Sequence, residues 1–166
     1  KRWYSQAGTP RLAVSESYDA AAKTYSLTFR QSCPATPDKV EKLPFVIPVE
    51  LGLLDAKGAA IALRLAGEAT AGATSRVFSV TEAEQTFTFL DIAEQPLPSL
   101  LRGFSAPVKL SFPYTRDQLM FLMQHDSDGF NRWDAGQQLS VQVLQELIGQ
   151  HQAGQPLKLD QRLIDA

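Results

Sequence analysis

Polar and apolar residues alternate soon after the chain begins. Leu12, Val14 and Tyr18 share one parity, and Ser15 and Ser17 the other. The same period returns over 24–30, where Tyr25, Leu27 and Phe29 alternate with Ser26, Thr28 and Arg30. A period of two puts successive side chains on opposite faces, which predicts two half-buried strands. Residues 19–23 between them are short enough for a hairpin loop. Pro34, Pro37 and Pro44 follow, and proline removes ladder donors, so 34–44 is predicted to be an exposed crossing. Ile47, Val49, Leu51 and Leu53 predict a strand within 45–54, with Pro48 marking an edge position or a bulge. Residues 55–58 read as a turn ending on Gly58, and Ile61, Leu63 and Leu65 as the return strand. The small, polar stretch 67–75 reads as loop. Further strands are predicted at 77–80, 86–90 and 108–112, where Phe87 and Phe89 share a face, as do Val108, Leu110 and Phe112. About seven short strands with turn signals at this spacing predict a small antiparallel, Ig-like β-sandwich.

The period changes after Pro113. Thr115 is a good N-cap, Asp117 sits in the first turn, and Leu119, Met120, Leu122 and Met123 form an apolar face. Asp126-Ser127-Asp128-Gly129 ends that helix. A second helix is predicted over 130–151, with Phe130, Trp133, Val143, Leu144, Leu147, Ile148 and His151 mostly at helical spacing. Gly154 followed by Pro156 is a stop signal. Residues 159–166 begin another periodic stretch and leave it unfinished. The fold class is therefore mostly β with an α tail: the sandwich over 1–112, then an αα-hairpin over 113–166. Such a hairpin cannot bury its apolar faces alone, so it either folds back on the sandwich or belongs with further helices.

Composition narrows the class without naming a function. The chain is 44% apolar and 20% charged, which is ordinary globular usage. With 166 residues it can bury one good core without staples. The formal net charge is −2 and no block of like charges occurs, so nucleic acid and anionic membranes are not expected partners. The longest near-apolar run, 58–63, is far below the roughly 20 residues of a membrane span. The single cysteine, Cys33, excludes an internal disulfide framework and weakly favours a reducing compartment. No secretory leader is legible at Lys1-Arg2-Trp3-Tyr4. Two large aromatics at one end and an unfinished helix at the other lead us to expect a chain cut from something longer.

Candidate chemistry is sparse. His125 and His151 stand far apart, outside any H-E-x-x-H or zinc-ligand spacing, and read as helix-tail histidines. Asp126-Ser127-Asp128 resembles the start of a calcium loop, but Asn131 and Gln137 stand where the glycine and the bidentate glutamate belong. A turn, with its aspartates capping the next helix, explains the string better. Cys33 has no basic neighbour to depress its pKa. Glu82 and Glu84 could form an acid/base pair, although turn or edge residues are the simpler reading. No G-x-S-x-G, P-loop or dinucleotide fingerprint occurs. No catalytic and no metal-ligating residue is assigned. Trp3, Tyr4, Arg132 and Trp133 are assigned instead as candidate interdomain packing residues, because large aromatics near chain ends need something to pack on.

Several strings carry a family resemblance. Residues 2–10, Arg-Trp-Tyr-Ser-Gln-Ala-Gly-Thr-Pro, resemble the segment just after the catalytic domain in the bacterial aminopeptidase N family of zinc-dependent alanyl aminopeptidases. Tyr25-Ser26-Leu27-Thr28, Gln31 and Pro34-Ala35-Thr36-Pro37-Asp38 resemble that family's next hairpin and loop. So do Lys42-Leu43-Pro44, Ile47-Pro48, and residues 82–87, 104–110 and 130–135; Lys39 departs from the family pattern within a loop. The resemblance implies a position in a larger enzyme, between a catalytic domain and a large C-terminal helical domain. That catalytic domain would hold zinc through H-E-x-x-H and a distant glutamate, and bind the substrate amine with G-x-M-E-N. None of these motifs is present here, so no cofactor is expected in this chain. The implied partners are the catalytic and C-terminal domains of the parent chain, with a peptide as the parent's substrate. Together with the lone cysteine, the family implies a cytoplasmic location.

Two other readings compete. An independent β-sandwich module could bind a peptide or another ligand through loops 34–44 and 67–75. A stand-alone enzyme using Cys33 or Glu82 and Glu84 lacks any visible orienting partner or oxyanion device.

Overall fold

A computed structural model describes residues 2–38, 40–158 and 160. It divides into two units, Lys1–Pro113 and Tyr114–Ala166. The first opens with one helical turn, α1 (Arg2–Ser5). Seven strands follow: β1 (Arg11–Asp19), β2 (Thr24–Ser32), β3 (Ile47–Leu54), β4 (Ser75–Val80), β5 (Glu84–Phe89), β6 (Leu97–Leu100) and β7 (Lys109–Ser111). They form a four-stranded sheet in the order β5-β2-β1-β7 and a three-stranded sheet in the order β4-β3-β6.

The alternation read from the sequence is the one the sandwich buries. Leu12 and Val14 of β1, Tyr25, Leu27 and Phe29 of β2, and Ile47, Val49, Leu51 and Leu53 of β3 all lie in one core. Aromatic rings bridge the sheets. Phe78 of β4 lies 4.9 Å from Phe87 and 5.7 Å from Phe89 of β5, in the tilted and edge-on arrangements that ring quadrupoles favour. The β1–β2 hairpin closes on Asp19, whose Oδ1 accepts from the backbone N–H groups of Ala21 and Ala22, both at 2.9 Å.

Three strand expectations need correction. Residues 61–65 form no strand. Ile61 N–H donates to the Leu53 carbonyl and Leu63 N–H to the Ala73 carbonyl, so this segment crosses between elements with only an isolated bridge from Leu65 to Phe89. The strand in its place is β6, which sequence reading passed over. Its residues Leu97, Pro98, Ser99 and Leu100 are all buried, so no polar–apolar alternation marks it. The sandwich is also not wholly antiparallel, because β7 pairs in parallel with β1.

Pro48 sits in a central strand yet keeps an edge position locally. β6 pairs with β3 only from Leu51 to Leu54. Glu50 N–H, two residues on and pointing the same way, is taken by Ser105 Oγ at 2.9 Å rather than by β4. The N–H that Pro48 lacks would therefore face a side with no partner strand, and no ladder bond is lost.

The second unit is a helix pair, α2 (Arg116–His125) and α3 (Gly129–Gln152). Thr115 caps α2 with a full capping box: its side chain accepts from Gln118 N–H, and Gln118 Oε1 accepts from Thr115 N–H. Asp128 caps α3 by accepting from Asn131 N–H at 2.8 Å. Gly154, at φ 67°, follows the helix end at Ala153. Arg116 at the start of α2 pairs with Glu146 late in α3, so the helices run antiparallel. Leu119 and Leu122 are buried with Ala135, Leu139 and Val143. The periodic stretch read at 159–166 lies, apart from Asp160, outside the described residues.

Candidate functional site

The N-terminal turn is held by backbone groups that lack strand partners. Residues 43–46 lead into β3 without a ladder of their own, so their polar groups must be satisfied by side chains. Gln6 does this reciprocally, donating to the Leu43 carbonyl at 3.0 Å and accepting from Leu43 N–H at 2.7 Å. Gln31 does the same for Phe45, donating to its carbonyl at 2.9 Å and accepting from its N–H at 2.7 Å. The same Gln31 amide also donates to the Glu82 carbonyl at 2.9 Å. Arg2 donates to the Pro44 carbonyl. Trp3 Nε1 donates to the Val46 carbonyl at 2.8 Å, and its ring lies 4.8 Å from that of Phe45.

Trp3 is thus spent in part on its own sandwich, whereas its neighbour Tyr4 is 97% exposed. Beside them opens a cavity of about 440 Å³ lined by Arg2, Trp3, Val46, Thr81 and Glu82. It combines an indole, a guanidinium and a carboxylate. Arg132 and Trp133 belong to the other unit, near the start of α3. Both are exposed, and the Trp133 ring lies 5.8 Å from that of Phe130. The four candidate packing residues therefore form two local pairs, each exposed in whole or in part.

The structure disperses the candidate chemistry. Glu84 faces Arg30 across β5 and β2 at 2.6 Å. The hydrogen bond from Arg30, then its charge, holds the Glu84 carboxyl below the usual carboxylate range, and Glu84 raises Arg30 in turn. Glu82 lines the N-terminal cavity instead. Cys33 Sγ lies 3.8 Å from the Ala7 carbonyl. His125 stacks on Phe121 at 4.5 Å, and His151 stands in the last turn of α3. Glu68, beside the loop 67–73, is likewise held low by Leu65 N–H and then Arg76. Among the described residues no group of three or more His, Cys, Asp or Glu side chains is placed to hold a metal ion.

Sequence reading missed Gln6 and Gln31, since a glutamine clamp has no periodicity to reveal it. It read Val143, Leu144 and Ile148 among residues mostly at helical spacing, without assigning them a face. The structure buries Val143 and leaves Leu144 and Ile148 more than half exposed, at 57% and 55%.

The fold defines a class: an Ig-like β-sandwich followed by a helix pair. The chain belongs to the DUF3458 family, a domain of unknown function with an Ig-like fold, whose model matches residues 8–113. A companion model of ARM repeats, also a domain of unknown function, matches residues 116–166. Over all 166 residues the chain is 44% identical to Aminopeptidase N of Escherichia coli (strain K12) and 42% identical to Aminopeptidase N of Haemophilus influenzae. It spans only 19% of the length of each. The crystal structure of Legionella pneumophila aminopeptidase A in complex with aspartic acid matches 97% of this chain with 16% of its own, at TM-score 0.70 and 30% identity. No helix among the described residues is long and apolar enough to cross a membrane.

Proposed function

We propose that this chain is a non-catalytic linking part of a zinc-dependent metallo-aminopeptidase that removes N-terminal residues from peptides. Its work is mechanical and steric: it holds a catalytic domain and a helical domain in register around the active-site chamber. The observation that carries this reading is the alignment of the entire chain, at 44% identity, with 19% of an Aminopeptidase N. Residues 1–112 form the linking sandwich, and 113–166 the first helices of the C-terminal helical domain. Trp3 and Tyr4 on α1, and Arg132 and Trp133 on α3, pack against neighbouring domains of the parent chain. Supporting this are the 97% exposure of Tyr4 and the 59% exposure of Trp133, both unusual for large aromatics. Zinc and the general base sit in the catalytic domain, and the enzyme works in the cytoplasm. When bound, the metal supplies an activated water for hydrolysis; the residues of this chain position domains and touch no reacting atom.

The test is hydrolysis of an aminoacyl p-nitroanilide by two samples. The complete polypeptide carrying this sequence should cleave it and lose activity to a chelator. The 166-residue chain alone should release no product above buffer. Chelator-sensitive turnover by the isolated chain, or none by the complete polypeptide loaded with zinc, overturns the proposal.

A further inference from the structure

An unpaired strand at a sheet edge is a template for another strand, and proteins usually blunt it with charge, shortness or a cover. The edges here are β5 and β7 in one sheet and β4 and β6 in the other. β6 is buried throughout. β7 is three residues long and begins on Lys109. β5 begins on Glu84 and is bridged at Phe89 by Leu65. β4 has no such device. Its one charge, Arg76, is turned onto the Phe78 ring, 5.5 Å from the centroid, and onto Glu68 at 2.8 Å. Val77, at the middle of the strand, is 59% exposed.

The register says which backbone groups lie on that open side. Glu50 N–H goes to Ser105 Oγ, away from β4, and Val77 stands directly opposite Glu50. Opposed residues of an antiparallel pair point their N–H and C=O groups both inward or both outward. The N–H and C=O of Val77 therefore face away from β3, as do those of Ser75 and Ser79. Gln85 Nε2, reaching the Ser79 carbonyl at 3.3 Å from β5, fits this parity. Among the described residues no hydrogen bond reaches Val77 from that side. Beside the start of β4 lies a cavity of about 460 Å³, lined by Glu68, Arg76 and the small residues 69–73.

We propose that the outer edge of β4 takes an extended, uncharged peptide, supplied in trans, as an added strand, with the cavity beside Arg76 receiving one of its side chains. Main-chain bonds then give affinity and the cavity gives selectivity. Three observations select this occupant. A free N–H and C=O on one residue call for another extended backbone, which repeats that pair on every second residue. Ser75, Val77 and Ser79 carry no charge and Arg76 is already neutralised by Glu68, so a neutral strand suits the edge. A second copy pairing its own β4 about Val77 would turn back after Val80 and bring Glu82 and Glu84 toward a cavity that already holds Glu68. The inference goes beyond the functional reading and does not depend on it.

The probe is the blocked peptide fluorescein-Thr-Val-Thr-Val-Thr-amide, followed by fluorescence anisotropy with the 166-residue chain and with the complete polypeptide. Both should bind it saturably, with half-saturation below about 1 mM. Val77→Pro removes an N–H that the fold does not use, and proline is tolerated at edge positions, so the unfolding midpoint should hold. Affinity should fall at least about tenfold. Two further probes, N-methylated on the threonines or on the valines, keep the test open should Val77→Pro fail to fold. Only one of the two sets should lose binding, because only alternate N–H groups face β4. Absence of saturable binding overturns the inference, as does equal affinity for a folded Val77→Pro or for all three probes. Dimerisation that Val77→Pro abolishes, without peptide binding, assigns the edge to a second copy and overturns it. Binding by the short chain but not by the complete polypeptide assigns the edge to another part of that polypeptide and overturns it too. The probe has no free amine for an aminopeptidase to act on, so failure here leaves the functional proposal standing.

Discussion

Gln31 shows how one polar side chain can replace a missing strand. Its amide makes three hydrogen bonds, two to Phe45 and one to the Glu82 carbonyl. Phe45 itself is 1% exposed, so water cannot readily take over if the clamp is removed. Gln31→Ala should therefore leave a buried donor and acceptor unsatisfied and cost about 2 kcal/mol. Urea denaturation of the 166-residue chain checks this, with the midpoint expected to fall at unchanged slope. A change within about 0.5 kcal/mol, the range of ordinary surface substitutions, would mean the clamp is dispensable. Nothing in the sequence announces the clamp. Gln31 carries the inward parity of Tyr25, Leu27 and Phe29 and reads only as a polar end to that buried face, with no sign of which groups it holds. Its role exists only because the proline-rich crossing returns residues 43–46 to the end of β2.

At the scale of elements, local signals succeeded where one force dominated. Thr115 and Asp117 read as N-cap and first-turn residues, α2 begins where they say, and Gln118 completes the capping box in the structure. Thr115→Ala removes the side-chain half of that box and should destabilise the helical unit by about 1 kcal/mol. Thr115→Asp should restore most of the loss. Far-ultraviolet circular dichroism during thermal unfolding reads both. An Asp variant no better than Ala would mean that the cap contributes little. The strands were legible wherever one face was wet, as in β1 and β2. They failed where burial was two-sided: Leu97–Leu100 is wholly buried and interrupted by Pro98. They failed again at 61–65, where alternation reflects an inward Leu63 rather than a ladder, since its N–H is spent on the loop carbonyl of Ala73. On α3, helical spacing revealed apolar positions without saying which face meets α2. Trp3, Tyr4 and Trp133 were legible as unusual aromatics, but the contacts of Trp3 with Val46 and Phe45 were not.

For the whole molecule, the decisive contrast lies in how much each unit buries for itself. The main core runs from Leu12 to Val108 and draws on strands of both sheets, with four phenylalanines and a tyrosine fully or nearly fully enclosed. Among its described residues the helical unit buries only Leu119, Leu122, Ala135, Leu139 and Val143 as apolar residues, and leaves Trp133, Val141, Leu144 and Ile148 exposed. Ordering each residue costs on the order of 1–2 kcal/mol in backbone entropy, which so few buried side chains barely offset. Residues 1–113, expressed alone, should therefore unfold in one cooperative transition. Residues 114–166 alone should show a broad, shallow melt with helix content well below that of α2 and α3 together. Calorimetry and circular dichroism on the two pieces distinguish the cases. A sharp transition in the helical piece would mean that its two-sided apolar pattern needs no neighbour. A broad one ties the stability of the helices to whatever covers α3, and leaves the sandwich as the part of this sequence able to stand by itself.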